Sequence, residues 1–532
     1  MSDLLKRLEN LSPEKRELML KKLQTQTKIS SNDTVRKFTA IQPISRDKAI
    51  PLSFAQQRLW FLDQLEGKNV NYNMAGAIRI TGSLQVVALK QAIAEIVQRH
   101  EVLRTNFQTA NGMTIQTIAP TADITLPVID LQGLTSAQQS AEVERLANEE
   151  ADKPFDLAGD RLLRVTLLML REQEYILLIT IHHKQCDGWS LEIFFCELAT
   201  LYKVFSVGKP SPLPALPIQY ADFADWQRQW LQGEVLENGL NYWKQQLAGA
   251  PPLISLPTDR PRPNVQTFRG DVERFEIDSH LTSKLKAISR QSNATLFMTL
   301  LAVFATLLSR YNSQSDLVVG SPIANRNRSE IEPLIGFFVN TLLLRIDLTE
   351  NPTFLELLRR VQQVALDAYT HQDIPFEKLV EELQPERNLS YNPLFQVMFV
   401  LQNTPQVSME LPNLTLTLEK EDVTAKFDLT LSIEETDQEL IASWEYSTDL
   451  FDATTIKRMV GHFQTILEEI VANPQQQVSQ IPLLTASERH QLLVEWNKTQ
   501  VEYPSTSSSK PAPNLLQVTL KLFILQSFLS IY

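Results

Sequence analysis

The densest chemistry in the chain lies in seven consecutive residues, His182-His183-Lys184-Gln185-Cys186-Asp187-Gly188. A neutral imidazole titrates near physiological pH, so it can take a proton from an attacking nucleophile or place one on a leaving group. The run follows Tyr175–Ile181, an apolar stretch that predicts a buried strand. Successive strand side chains face opposite ways, so the two histidines cannot both address one substrate. One is expected to be structural and the other to face a cavity. The same alternation, continued past His183, turns Lys184 to the opposite side, toward solvent. Asp187-Gly188 reads as a turn in which the aspartate bonds neighbouring backbone and glycine permits a tight path. Acyl transfer suits such a run; histidines merely satisfied at a strand end are the bland alternative. Cys186 would act as a nucleophile only beside an independent base, and none is assigned.

Other chemistries find less support. The sequence has no His-Glu-x-x-His, no Gly-x-Ser-x-Gly elbow and no phosphate-cradling glycine loop. A formal net charge of −12 disfavours nucleic acid as a partner, and Arg260-Pro261-Arg262 reads as solvated surface charge. With 43% hydrophobic and 21% charged residues in 532, the composition is that of a soluble globular protein. At roughly 100–200 residues per domain this length suits two to four compact units. Two cysteines, Cys186 and Cys196, fit a reducing cytoplasm. Met1–Lys22 lacks the apolar core of a signal peptide, and Leu515–Tyr532 is interrupted by Gln517, Lys521 and Gln526, so no membrane span is expected.

The elements that must position the run alternate along the chain. Residues 1–24 read as a helix, with Ser12 as cap and Pro13 at its first position, and 25–50 as a linker. Ala77–Ile80, Leu162–Leu170 and Tyr175–His182 read as strands, and Leu84–Arg99 and Leu191–Phe205 as helices. Lys209–Pro217, rich in proline, predicts a boundary between a region 51–217 and a region 218–483. The second region again mixes helices (Leu281–Asn293, Leu296–Tyr311, Phe354–His371) with strands (Leu317–Val319, Leu342–Ile346, Phe395–Leu401). An α/β architecture of two similarly built lobes is expected. Residues 484–504 read as a further linker, helical and polar through Trp496, and 505–532 as a tail.

Seven motifs in this order resemble the condensation domain of nonribosomal peptide synthetases. They are Ser53–Leu62, Arg99–Phe107, His182–Ser190, Tyr220–Trp226, Ile335–Thr341, His371–Glu377 and Arg387–Leu394. The resemblance implies two lobes similar to chloramphenicol acetyltransferase, forming a V-shaped pseudo-dimer with a central tunnel. Donor and acceptor peptidyl carrier proteins would deliver substrates on phosphopantetheine arms, and the acceptor amine would attack the donor thioester. No cofactor or metal bound by this chain is implied. His183 matches the catalytic position of His-His-x-x-x-Asp-Gly, supported by His182, Asp187, Gly188 and Arg58, the last as an ion-pair partner of Asp187. Trp189 and Asn340 are candidate tunnel-lining residues, Asn340 being equally readable as a strand-edge bond. Phe54-Ala55-Gln56-Gln57-Arg58 is similar to the subtype that joins two L-residues.

Departures are also visible. Lys184-Gln185-Cys186 stand where the family usually carries apolar residues and a serine, which puts activity rather than fold in question. A lysine pointing inward would disfavour the imidazolium of His183. Asn388 and Tyr391 replace an aspartate and an arginine common in the last motif. Residues 484–504 resemble the start of an adenylation region, but the tail after Tyr503-Pro504 does not continue it, as in a truncated frame or a protein served by an adenylation domain in trans. The alternatives are a catalytically silent docking or scaffold domain, for which residues 1–24 are a candidate docking element, and a coenzyme A-dependent acyltransferase.

Overall fold

Glu174–His182 is buried from Tyr175 onward, so it reads as a continuous apolar run rather than an alternating one. It lies inside a five-stranded sheet whose spatial order is Leu414–Glu421, Asn73–Gly82, Glu174–His182, Leu163–Arg171 and Val128–Asp130. The first three contacts are antiparallel and the last is parallel. The computed structural model describes residues 40–498, apart from 68–69, 111, 122–123, 387, 403–413, 422–423 and 437–438. The expected helix in 1–24, most of the 25–50 linker and the 505–532 tail lie outside the described residues.

The described chain forms two mixed α/β units. One holds the residues up to Asn238 together with Arg326–Phe338 and the strand Leu414–Glu421; the other holds Gly239–Asn325 and the remainder. The boundary is therefore not at the proline run. Ile218, Tyr220, Phe223 and Ala224, just past those prolines, pack into the core of the first unit. Two segments from much later in the chain return to that unit, which composition along the chain cannot announce.

In the first unit the helices Val86–Arg99 and Gly188–Phe205 bury one face each. Leu89, Ala92, Ile93 and Ile96 on one and Phe194, Leu198 and Leu201 on the other join a core with Ile78, Leu177, Ile179 and Ile181 of the sheet. The recurrence of those apolar positions every three or four residues is what makes these segments helical. Ser53 and Gln56 form a reciprocal capping box at the start of Phe54–Glu66. A separate three-stranded sheet orders Ile50–Pro51, Met113–Ile118 and Thr105–Ala110.

The second unit is built on a six-stranded sheet, in order Asn340–Asp347, Asp316–Ile323, Val397–Gln402, Leu429–Glu435, Leu440–Ser447 and Gly270–Ile277. Phe304 of the helix Leu296–Asn312 lies 5.7 Å from Phe399 and 5.6 Å from Trp444, ring centre to ring centre. That helix is apolar almost all round because it is buried from Met298 to Leu308. Among the described residues no single helix is long and apolar enough to cross a membrane; one pair, Ser279–Gln291 with Leu296–Asn312, passes by length and composition but is bent by 105°.

Gly320 is where the second sheet has no room. A Cβ there would sit 2.2 Å from the Phe395 ring, itself buried and packed on Phe376 and Phe427. Gly320→Ala is expected to lower the stability of the protein by roughly 1–3 kcal/mol, the usual cost of overpacking. The urea midpoint of the purified variant measures it.

Candidate active site

The strand ends at His182, and the backbone then turns. Gln185 N–H donates to the His182 carbonyl (2.9 Å), Cys186 N–H to that of His183 (3.3 Å), and His183 N–H to Tyr72 (2.8 Å). The two histidines lie in different surroundings. His182 is buried, its ring centre 6.0 Å from that of Phe155 in a near-perpendicular arrangement, and its Nδ1 accepts the Lys184 N–H (3.0 Å). His183 is half-buried and its ring centre lies 4.8 Å from that of Phe337.

The tautomer of His183 follows from its partner. Its Nδ1 lies 2.8 Å from the Cys186 carbonyl oxygen, which can only accept, so Nδ1 carries the proton. In the neutral ring the lone pair is then on Nε2. An imidazole held this way can take a proton at Nε2 while its other nitrogen is anchored to backbone.

Lys184 does not turn to solvent. It is fully buried, with Nζ 3.6 Å from the centre of the Phe107 ring and 4.6 Å from that of Trp60, and no hydrogen-bond partner meets it. The expectation failed because alternation holds only within a strand, and 183–185 is a turn. Burial pulls the Lys184 amine well below its ordinary pKa, opposed in part by the charge of Asp63. Gln185 and Cys186 are buried too. Gln185 Nε2 donates to the Thr105 carbonyl (2.8 Å), and burial pushes the Cys186 thiol well up, so it is no thiolate nucleophile.

Asp187 caps the helix Gly188–Phe205. Its Oδ1 accepts from Ser190 N–H (2.9 Å), lies 2.7 Å from Ser190 Oγ and 3.2 Å from Arg326 Nη2; Oδ2 accepts from Phe338 N–H (2.9 Å). The ion pair expected with Arg58 is thus made by Arg326, from a segment more than a hundred residues downstream. Arg326 has no local signal of this role, being one of two arginines in the polar stretch Asn325–Glu330. Arg326 also donates to the carbonyls of Ile331 and Leu334 (2.7 Å each) and lies over the Phe338 ring at 4.2 Å, and burial lowers its pKa. Gly188, the first residue of the helix, is exposed and has open space around its α-carbon. Gly336 has none: a Cβ would fall 2.0 Å from the Tyr220 ring.

The remaining candidates separate. Trp189 is half-buried with its indole N–H on the Glu332 carbonyl (3.2 Å). Asn340, in the second unit, spends its amide on backbone. Its Nδ2 donates to the carbonyls of Gln372 (2.9 Å) and Ile374 (2.8 Å), and its Oδ1 accepts from the N–H of Thr341 and Phe376, both at 2.9 Å. Four backbone bonds use its amide completely. Among the described residues no cluster of three His, Cys, Asp or Glu could hold a metal ion.

Two stability outcomes follow. Lys184→Met keeps the stem and removes an unpartnered amine, so it is expected to stabilise the protein at neutral pH by roughly 1–3 kcal/mol. Because the folded-state pKa is the lower one, the cost of Lys184 is fully present at low pH and fades as pH rises toward its unfolded value of about 10.4. Urea titrations of both proteins from neutral to alkaline pH should therefore converge. Arg326→Met strands the Asp187 carboxylate and is expected to cost roughly 3–5 kcal/mol by the same measurement.

A family model described as Condensation domain matches residues 46–493. The chain is 49% identical over 472 residues to a linear gramicidin synthase of Brevibacillus parabrevis, covering 88% of this chain and 6% of that protein. It is 40% identical over 494 residues to phosphinothricin tripeptide synthetase of Streptomyces viridochromogenes, covering 92% of this chain and 45% of that one. It thus spans less than half the length of either. Among solved structures, the X-domain from teicoplanin biosynthesis superposes with a TM-score of 0.76 at 30% identity, covering 84% of this chain and all of that one. With that match over most of its length, and with the histidine run at the end of a buried strand, the chain belongs to the condensation-domain family.

Proposed function

We propose that this chain forms an amide bond between a donor acyl thioester and an acceptor amine, each tethered to a carrier protein by a phosphopantetheine arm. His183 is the catalytic residue. The observation that carries this reading is the Nδ1 contact with the Cys186 carbonyl, which leaves Nε2 as the basic nitrogen of the neutral ring. As the amine attacks the thioester carbonyl, a C–N bond forms and the C–S bond breaks. The amine proton passes to Nε2 and from there to the departing thiolate, so the products are an amide and a carrier thiol. His182, Asp187 and Gly188 shape the turn and the helix start.

The family supports the reaction class, and the first core motif supports two L-configured partners. Lys184, Gln185 and Cys186 are read as anchors of the turn, since all three side chains are buried. The partners would be donor and acceptor carriers with an adenylation domain to load them. The two free thiols, Cys186 and Cys196, suit a cytoplasmic setting.

The test offers carrier-bound donor and acceptor to the protein and to His183→Ala. Native protein is expected to yield the condensed product on the acceptor carrier, and the variant to be slower by about 10²–10⁴-fold, the usual worth of general acid–base catalysis. An unchanged unfolding midpoint in the variant would tie the loss to chemistry. Equal product from both proteins would remove His183 from the mechanism, and turnover with acyl-coenzyme A alone would remove the carriers.

A further inference from the structure

His100 lies in the second of the seven motifs, and the reaction above gives it no task. Its side chain is 1% exposed. Nε2 is 3.0 Å from Glu197 Oε2, and Nδ1 is 3.2 Å from the backbone nitrogen of Ile335. An amide N–H can only donate, so Nδ1 must keep its lone pair and the ring proton sits on Nε2, given to Glu197. His100 is therefore neutral in the folded chain. Burial drives its pKa below the ordinary imidazole range; Glu197 pulls against this, and the charges of Arg99 and Arg326 push the same way as burial. Glu197, on the helix Gly188–Phe205, is itself held by Arg99 (2.8 Å).

Ile335 opens the four-residue stretch that ends at Phe338, and side chains of the first unit grip its backbone at each step. Ile335 N–H goes to His100, Gly336 N–H to Ser190 Oγ (3.0 Å) and Phe338 N–H to Asp187 (2.9 Å), while the Phe337 carbonyl accepts from Tyr220 (2.6 Å). Phe337 is the residue whose ring lies against His183. Remove the first grip, and the stretch can pivot about the others, carrying that ring with it.

We propose that His100 is a positioning residue for His183, acting through Ile335 to hold the Phe337 ring against the His183 imidazole. The inference rests on the reading of His183 as the catalytic group, but its structural half can be read without turnover. Protonation of His100 fills the lone pair that Ile335 needs, so the grip persists somewhat below the unfolded histidine pKa of about 6.5 and is lost as pH falls through the lower pKa that burial gives His100 in the folded chain.

The experiment follows the His183 ring resonances by NMR in histidine-labelled protein, assigned with His183→Ala. His100→Leu removes the acceptor, and is expected to move the His183 signals toward those of Phe337→Leu at neutral pH. His100→Asn can present Oδ1 near the place of Nδ1 but does not titrate. It is expected to match native protein at neutral pH and to lose the second, acid-side transition that native His183 signals show besides their own. His183 signals unmoved in His100→Leu would overturn the proposal. Should that variant not fold, identical acid titrations of native protein and His100→Asn would overturn it instead. In the carrier assay, His100→Leu should lower kcat about tenfold to a hundredfold with KM little changed, as for a small misplacement of a catalytic group. Adding Phe337→Leu should lower it no further; independent, multiplying effects would overturn the coupling. Native protein that showed the NMR coupling but formed no amide would sink the functional reading and leave this one standing.

Discussion

A carboxylate taken out of water needs every lone pair answered, and Asp187 is answered from several directions at once. Two of its donors belong to Ser190 in its own helix, one to Arg326 and one to the backbone of Phe338. A single buried group thus caps the helix that follows the histidine turn and draws in a segment from far along the chain. Each bond is charge-assisted, which makes it stronger than a neutral one and costlier to leave half-made. Because Phe337 lies inside the captured segment, the ring beside His183 depends on the same carboxylate. The surroundings of His183 and the helix cap share one anchor.

The turn itself is held by unusual means. Its three residues between His183 and Asp187 are all buried, and one of them is a lysine among aromatic rings. Cation–π attraction can offset part of the desolvation of an ammonium, but Nζ lacks a hydrogen bond and burial favours the neutral amine. The stem packs as a hydrophobe of similar length would. What the turn gains is a packed lysine stem, with Phe107 and Trp60 around its amine.

Much of the local structure was legible because it obeys short periods. The apolar run before the histidines, the helices starting near Leu296 and Phe354, and the strand around Leu342–Ile346 all fall close to where periodicity puts them. The strands Leu414–Glu421, Leu429–Glu435 and Leu440–Ser447 went unread, although they complete the two larger sheets. The alternation in Leu-Thr-Leu-Thr-Leu and Leu-Thr-Leu-Ser-Ile was a signal that could have found two of them, but which strands they pair with is set by partners distant in sequence. The proline run marked a local break in helix and strand, yet the chain went on packing into the same core beyond it.

From residue types and spacing alone came the histidine run, its place at a strand end, the turn aspartate, and the alternating helices and strands. These follow from interactions between near neighbours, whose geometry is set by backbone periodicity. Long-range choices needed the folded chain: Arg326 rather than Arg58 beside Asp187, Lys184 inside rather than outside, Asn340 spent on backbone, and His100 gripping Ile335. Each of these is decided by which groups meet after distant segments pack, and by the desolvation that packing imposes. No local pattern encodes that burial.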